Sequence, residues 1–287
     1  MKSRKDVQEF QLHLMRNITS LYDDLKSENY KHSKYEAFKI SDPKPRNIHK
    51  ASVRDRLLHH LIYQNLYYFF DKKFISDSYS CRLNKGTHKA INQFRKYAFK
   101  VSNNHTKTCW VLKCDIRKFF ASIDHVILKE ILIKDIEDRK LLKLLFKIID
   151  SFSVEQNKGL PLGNLTSQLL VNIYMNEFDR FVKHNLKNKY YIRYADDFVF
   201  LSQYKDELKE ILPKIKNFLN EKLKLKTHPN KVCIKTFVSS VDFLGWVHFP
   251  DHGVLRETTK NRILKNLEKE NVKLETVQSY LGPLHST

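Results

Sequence analysis

The sequence predicts an α+β protein in which helices are mixed with antiparallel hairpins. Apolar residues recur at helical spacing over residues 57–69. Runs rich in β-forming residues flank short turns at 189–202 and at 232–249, which is typical of hairpins. No regular βαβ alternation accompanies them, so a parallel sheet is not expected. Hydrophobic residues make up 41% of the 287 residues, enough for a buried core.

The elements are expected in the following order. The first fifty residues are basic and broken, and two prolines in residues 42–46 predict a turn or extended loop. A long helix starts at a capping-box-like Ser52 and Asp55. Further helices are expected over 87–100, 124–136, 138–152, 165–184 and 204–222, and one helix or two over 258–281. The other expected elements are a buried strand over 108–115, a loop over 158–163, the hairpin over 189–202, and strands near 232–237 and 243–249 paired as a second hairpin.

The charge of the chain points to a polyanionic partner. Fifty-two Lys and Arg against thirty-two Asp and Glu give a net charge of +20, which favours nucleic acid or an anionic membrane surface, with a merely cationic surface as the alternative. No run approaches the ~18 apolar residues of a spanning helix, and no apolar signal segment follows the basic N-terminus. The sequence therefore favours nucleic acid, no membrane and a cytoplasmic location.

The four cysteines form no CxxC pair and have no His at zinc-finger spacing. Cys109, Cys114 and Cys233 lie in apolar, strand-like runs. We therefore expect buried, reduced thiols.

Three aspartates are candidates for catalysis. Asp115 ends the predicted buried strand, and Asp196 and Asp197 lie at the turn of the predicted hairpin. Acidic turns are common, so structural turn aspartates are one interpretation. Rigid apolar strands on both sides favour another, because clustered carboxylates repel one another unless cations neutralise them. Carboxylate oxygens suit Mg²⁺, and two such ions assist phosphoryl transfer.

These residues lie in motifs that resemble those of bacterial reverse transcriptases across residues 43–281. YADD at 194–197 resembles the YxDD box, and CDIRKFF at 114–120 resembles the first catalytic-aspartate box. Four further segments resemble family motifs: KPRNI at 44–48 followed by Asp55 and Arg56, SCR at 80–82 with KGTHKA at 85–90, residues 225–231, and FLGW at 243–246. Six motifs in the family's order make the resemblance specific.

The resemblance implies an RNA-directed DNA polymerase with a right-hand layout. Asp115 and Asp196 would hold two Mg²⁺ ions, for which Mn²⁺ can substitute, with Asp197 in support. Phe120 would exclude the 2′-hydroxyl of ribonucleotides, the alternative being a core aromatic. Lys231 would protonate the pyrophosphate, or is a surface lysine. The other residues implied in binding are Lys44 and Arg46 for the triphosphate (or a solvated basic loop), Leu162, Gly163 and Gln168 for the nucleotide, and Phe243, Leu244 and Gly245 for the primer grip.

The same resemblance implies three parts and a set of partners. The fingers would cover residues 1–107, the palm with its antiparallel sheet 108–252 with a fingers insertion around 138–160, and a short helical thumb 253–287. Template RNA, the cDNA or primer and deoxynucleoside triphosphates would bind.

Two positions narrow the subfamily. Leu162 stands where most bacterial members have Gln, and Gln168 where they have Pro. This variant resembles the reverse transcriptases of diversity-generating retroelements, which implies error-prone copying at adenine and a small, basic, oligomeric accessory protein. The alternatives are an antiphage-defence, retron or group II intron-like reverse transcriptase, a catalytically idle RNA-binding scaffold, and an RNA-dependent RNA polymerase. The intact aspartates argue against the scaffold, and Phe120 argues against the RNA polymerase.

Overall fold

The computed structural model describes residues 4–41 and 45–268. Its mixture of helices and antiparallel strand pairs confirms the α+β class. The helices are α1 (Lys5–Leu12), α2 (Leu14–Lys26), α3 (Val53–Asp71), α4 (Thr87–Val101), α5 (Phe119–Ser122), α6 (His125–Asp135), α7 (Arg139–Asp150), α8 (Leu165–Arg180), α9 (Lys205–Leu223) and α10 (Glu257–Leu267), with a π-helical turn at Phe181–Asn185 and a 3-10 turn at Pro229–Lys231. The strands are β1 (Glu36–Ile40), β2 (Arg46–Lys50), β3 (Trp110–Asp115), β4 (Tyr191–Tyr194), β5 (Asp197–Ser202), β6 (Cys233–Thr236), β7 (Val241–Phe243), β8 (Trp246–His248) and β9 (Gly253–Leu255).

One compact unit comprises the described parts of Met1–Ile75, Arg117–Arg180 and Phe218–Lys226. Local signals in the sequence start its helices: the Ser52 hydroxyl accepts a hydrogen bond from the Asp55 amide at the start of α3, as expected. Aspartate side chains cap α6 and α7 in the same way. Strands β1 and β2 form a two-stranded antiparallel ribbon in this unit.

The second unit comprises Ser76–Ile116, Phe181–Asn217 and the described part of Thr227–Thr287. It contains a four-stranded antiparallel sheet in the order β4-β5-β3-β6 and a three-stranded sheet β7-β8-β9. Helix α4 packs its apolar face on the first sheet, and the shared core includes Ala90, Phe94, Ala98, Ile192, Val199 and Leu201. The sheet whose strands end at the acidic residues is therefore backed by a hydrophobic core. Among the described residues, none of the helices combines the length and apolarity needed to cross a membrane.

Three expectations are wrong or incomplete. The first fifty residues are not merely broken, because they contain α1, α2 and the β1–β2 ribbon. The second hairpin does not form as expected, because β6 pairs with β3, whereas β7 pairs with β8. The helix expected over 258–281 is observed as α10, and its part beyond residue 268 lies outside the described residues.

The cysteines are free, as expected, but only two of the three strand cysteines are buried. Cys109 and Cys114 are buried, whereas Cys233 is exposed. Cys233 lies on the edge strand β6, where burial alternates along the chain, so an apolar-looking run does not bury every side chain.

Candidate active site

The register of the four-stranded sheet brings the three candidate aspartates to one end. Asp115, the last residue of β3, is paired directly with Asp197, the first residue of β5. Tyr194 is also paired with Asp197, so the β4–β5 hairpin closes through Ala195 and Asp196 alone. The Ile116 amide donates to the Asp196 carbonyl oxygen at 3.2 Å, which ties the turn to the end of β3.

The turn adopts an unfavourable backbone conformation. Ala195 has a φ of 55°, in the left-handed region that residues with a side chain rarely occupy. Such strain persists only where the surroundings enforce it, and it clusters at functional sites. Here the Arg193 guanidinium donates to the Ala195 carbonyl oxygen at 3.2 Å.

Arg193 is fully buried and belongs to a polar network beneath the turn. Its guanidinium also donates to the Ser78 hydroxyl at 3.0 Å, and its amide donates to the Asp77 carbonyl oxygen at 2.9 Å. The buried Asp77 carboxylate in turn accepts from Lys183 at 3.0 Å and from the Tyr97 hydroxyl at 2.9 Å. The sequence interpretation missed this support. A lone Arg inside the apolar run YYIRYA was the available signal, because a buried charge requires partners.

The electrostatics of the site disfavour three ionised carboxylates. Burial, together with the neighbouring Asp197 and Asp115, raises the pKa of Asp196 to about 6. Burial also raises the pKa of Asp197, with Asp115 acting in the same direction and Lys113 opposing it. In the described part of the chain, no hydrogen-bond partner reaches the buried Asp197 Oδ1. The site is therefore well suited to a positive charge.

Lys231 supplies part of that charge. Its ammonium donates to Asp115 Oδ2 at 2.8 Å, and its side chain is 41% exposed. His228, three residues before Lys231, donates its amide to the Asp115 carbonyl oxygen at 2.7 Å, which fixes the 3-10 turn beside β3. The sequence named Lys231 as a candidate but did not predict its ion pair with Asp115.

The carboxylates fit a divalent metal in their chemistry. Mg²⁺ binds through one or two carboxylates and completes its shell with waters and substrate phosphates. Among the described residues, no group of three or more His, Cys, Asp or Glu side chains is gathered closely enough to hold an ion alone. Two features support this fit: Asp197 Oδ1 has no hydrogen-bond partner among the described residues, and the pKa of Asp196 is raised. A bound cation would supply the missing partner and favour the ionised carboxylates.

The predicted triphosphate and nucleotide residues of the first unit are held by the β1–β2 ribbon. Arg46 lies exposed at the start of β2, and Lys44 lies outside the described residues. The Leu162 carbonyl oxygen accepts from the His49 amide at 3.0 Å. Gly163 has a φ of 107°, and a Cβ there would approach Ile48 Cγ2 to 2.7 Å, so this position requires glycine.

Phe120 and Gln168 occupy half-buried positions in the same unit. The Phe120 ring packs edge-to-face on Phe119, with centroids 5.6 Å apart, and its partial exposure is unlike that of a core aromatic. Gln168 lines a cavity of about 230 Å³ together with Arg56 and His60.

The predicted primer-grip residues form the turn between β7 and β8. Phe243 is fully buried, and Leu244 and Gly245 both have positive φ, 54° and 86°, as two-residue hairpin turns require. The Phe243 carbonyl oxygen accepts from His248 Nε2 at 3.3 Å. A hairpin turn therefore lies where the sequence predicted one strand near 243–249.

The backbone is similar to that of solved telomerases, which shows that the chain has the right-hand polymerase fold. The chain matches apo telomerase from Candida tropicalis truncated from its C-terminal domain with a TM-score of 0.59 and 13% identity, covering 85% of this chain and 60% of that one. It matches telomerase from Candida albicans, in complex with a fragment of telomeric RNA, with a TM-score of 0.61 and 10% identity, covering 94% of this chain and 52% of that one. The expected fold is confirmed.

Comparison of the amino-acid sequence with family models identifies the family. The profile described as "Reverse transcriptase (RNA-dependent DNA polymerase)" matches residues 32–248, and the chain therefore belongs to the reverse transcriptase family.

The curated relatives include a bacterial protein and proteins named for introns. Protein YkfC of Escherichia coli K12 is 24% identical over 275 residues, covering 81% of this chain and 70% of that protein. The group II intron-encoded protein LtrA of Lactococcus lactis is 25% identical over 205 residues, covering 48% of this chain and 34% of that protein. The putative COX1/OXI3 intron 2 protein of Saccharomyces cerevisiae is 24% identical over 206 residues, and the chain spans 24% of its length.

Proposed function

We propose that the chain is an RNA-directed DNA polymerase that makes cDNA from an RNA template. The observation that carries the proposal is the placement of Asp115 opposite Asp197, with Asp196 in the turn between β4 and β5. Membership of the reverse transcriptase family supports it. Template RNA, a primer or nascent cDNA and deoxynucleoside triphosphates are the partners.

In the proposed reaction, a bond forms from the primer 3′-hydroxyl oxygen to the α-phosphorus as the bond to pyrophosphate breaks, and the hydroxyl proton is lost to solvent. Asp115 and Asp196 would hold two Mg²⁺ ions, or Mn²⁺ in their place, and Asp197 would support them. Bound there, the ions would activate the attacking oxygen and neutralise charge on the leaving group. Lys231 gives a proton to the pyrophosphate, and its partly exposed ammonium beside Asp115 supports this role. Arg193 orients the acidic turn through the Ala195 carbonyl.

We assign the other predicted residues to substrate binding. Arg46 and Lys44 contact the triphosphate through charge-assisted hydrogen bonds. Gly163 and Gln168 contact the nucleotide, and Phe243 to Gly245 hold the primer end. The fingers then cover residues 1–107, the palm 108–252 with an insertion around 138–160, and the thumb 253–287.

The test is extension of a primer on an RNA template with either deoxynucleotides or ribonucleotides. Phe120→Ala is expected to admit ribonucleotides, because the ring is assigned to the space of the 2′-hydroxyl. The measured quantity is the ratio of kcat/KM for the two sugars, with Phe119→Leu as a control for packing. Absence of deoxynucleotide incorporation by the wild type contradicts the proposed function. A ratio that changes by less than about threefold makes Phe120 a packing residue only.

For the subtype, we propose error-prone synthesis at adenine, as in diversity-generating retroelements, with a small basic accessory protein as partner. Leu162 supports it, because an aliphatic side chain offers the nascent base pair no hydrogen bond. An intron-like reverse transcriptase is the second candidate, and the similarity to LtrA and to the yeast intron protein favours it.

Leu162→Gln separates the two subtypes. A correctly placed hydrogen bond contributes about 0.5–1.5 kcal/mol, so the variant is expected to misincorporate roughly two- to tenfold less opposite template adenine. Sequencing of cDNA made from one RNA by both proteins measures this. A wild type that is already accurate at adenine favours the intron-like candidate, and an unchanged error rate in the variant makes Leu162 a packing residue.

A further inference from the structure

One long segment of the second unit carries only positive charges. Between Asp77 and Asp115 the sequence has no Asp or Glu over 37 residues, whereas it has eight Lys and Arg. Acidic residues make up 32 of the 287 residues, so roughly four would be expected in a segment of this length. Helix α4 lies in the middle of this segment.

Helix α4 separates these charges onto one face. Its core face, which includes Ala90, Phe94 and Ala98, packs in the hydrophobic core of the unit. Lys89, Asn92, Lys96 and Lys100 recur every three or four residues on the opposite face and are exposed. Successive positions on such a face are about 4.5–6 Å apart along the helix axis. The lysines therefore form a track directed away from the sheet.

The track continues into a cavity of about 340 Å³. Its wall combines the ring of Tyr79 with three lysines and three amides, which are Lys85, Lys89, Lys96, Asn84, Asn92 and Gln93. None of the described residues that line it is acidic.

The ammonium groups of the track are not neutralised by carboxylates. Within the described part of the chain, no ion pair forms at Lys89, Lys96 or Lys100, and Lys89 donates only to the Asn84 carbonyl oxygen at 2.7 Å. An exposed aromatic ring, Phe99, lies between Lys96 and Lys100 in sequence and is 46% exposed.

We propose that this face of α4, with the adjoining cavity, binds the phosphodiester backbone of a single nucleic-acid strand. Single strands are bound by basic grooves that include aromatic side chains, on which bases stack. Lysine and amide groups both donate to phosphate oxygens. An anionic membrane is the less favoured partner, because an interfacial helix inserts its apolar face and that of α4 is occupied by the protein core.

The experiment measures binding of the full chain to a labelled 20-nucleotide single-stranded RNA across a series of salt concentrations. The assay contains no primer or nucleotide, so its result does not depend on polymerase activity. The variant is Lys89→Gln/Lys96→Gln/Lys100→Gln. The matched control, Lys209→Gln/Lys214→Gln/Lys216→Gln, removes the same charge from exposed positions of α9, a helix that also contains Asp206, Glu207 and Glu210.

Loss of three phosphate contacts is expected to reduce the slope of log K against log salt by about 2, since each contact contributes about 0.7 for single strands. The control variant is expected to change it little, and Lys→Arg at the three α4 positions should preserve binding. A single-stranded DNA of the same sequence should show the same loss.

Equal losses in the α4 and α9 variants would overturn the proposal, because net charge alone would then explain binding. An unchanged salt slope in the α4 variant would also overturn it. So would a variant that binds RNA normally but no longer binds vesicles of phosphatidylserine and phosphatidylcholine. Circular dichroism melting of both variants checks that these surface changes leave the fold intact.

Discussion

Two tight turns of the second unit place a residue with a side chain in the left-handed region, and the protein supports them differently. Ala195, with a φ of 55°, is held through its carbonyl by the buried guanidinium of Arg193. Leu244, with a φ of 54°, follows Phe243, whose carbonyl accepts from His248. One support is charged and polar, whereas the other is a neutral imidazole in an aromatic core.

The two supports differ because the two turns carry different side chains. The first turn carries carboxylates that repel one another, and Lys231 and Lys113 act to lower the pKa values that burial raises there. Arg193 supports this turn by its hydrogen bond to the Ala195 carbonyl oxygen. The second turn carries only apolar groups, and burial lowers the pKa of His248 to about 4. The first support therefore keeps its charge at every working pH, whereas the second depends on a proton staying off the ring.

The largest effect is expected at the acidic turn itself. Asp196→Asn removes a charge with little change in volume, so primer extension with Mg²⁺ should fall by about a thousandfold while RNA binding persists. Asp206→Asn, at an exposed position of α9, is the control and should extend normally. Near-normal extension by the Asp196 variant would contradict the metal assignment.

The next effect is expected beneath the turn. Arg193→Lys keeps the charge but loses the planar fork that reaches both the Ala195 carbonyl and Ser78. We expect kcat to fall about tenfold, which corresponds to one hydrogen bond to a charged group. The Mg²⁺ concentration that gives half-maximal rate should rise.

Phe94→Leu, a substitution beside the second turn, is the matched control for Arg193→Lys. Phe94 packs against Phe243 with ring centroids 5.2 Å apart, so the change should cost about 1 kcal/mol of stability. It should leave the Mg²⁺ dependence unchanged. The same Mg²⁺ response in both variants would mean that Arg193 acts only through general stability.

The smallest effect is expected from acidification, which should reduce stability through His248. His248 has a folded-state pKa of about 4 against an ordinary 6.5, so the unfolded chain binds the proton more readily. Its contribution to stability is complete above pH 6.5 and is lost as the pH falls towards 4. The loss should reach about 2 kcal/mol at pH 5.

Urea unfolding of wild type and His248→Gln at pH 7 and pH 5 measures this contribution. The variant should lose less stability than the wild type on acidification, whereas His252→Gln, at an exposed imidazole, should behave like the wild type. Equal pH dependence in all three proteins would show that the His248 imidazole is not kept neutral by its surroundings. His59 of the first unit, whose pKa burial also lowers to about 4, should still destabilise each of them at low pH.

The sequence predicted the parts of the site that depend on local patterns. Strand β3 and the β4–β5 hairpin were expected because runs of β-forming residues end at acidic residues, and a loop was expected over 158–163. Residues 14–25 also carried a readable helical pattern at Leu14, Ile18 and Leu21, which the sequence interpretation did not use.

The rest depends on contacts that are distant in sequence. The partner of β6 is β3 rather than its neighbour β7, and nothing within a short strand specifies which edge it joins. Arg193 donates to Ser78, which is more than a hundred residues away in the sequence. Only the charged residue within an apolar run could have indicated the polar network beneath the turn. The ion pair of Lys231 with Asp115 likewise joins residues that are distant in sequence.

The central position of β3 in its sheet affects how the protein folds during synthesis. β3 leaves the ribosome first, but its two neighbours, β5 and β6, follow about 80 and about 120 residues later. At about 5–20 residues per second, the apolar strand waits at least about 4 s for one partner and about 6 s for both. During that interval both of its edges can pair with other chains. Synthesis of this protein therefore has a window for aggregation that closes only when residue 236 has emerged.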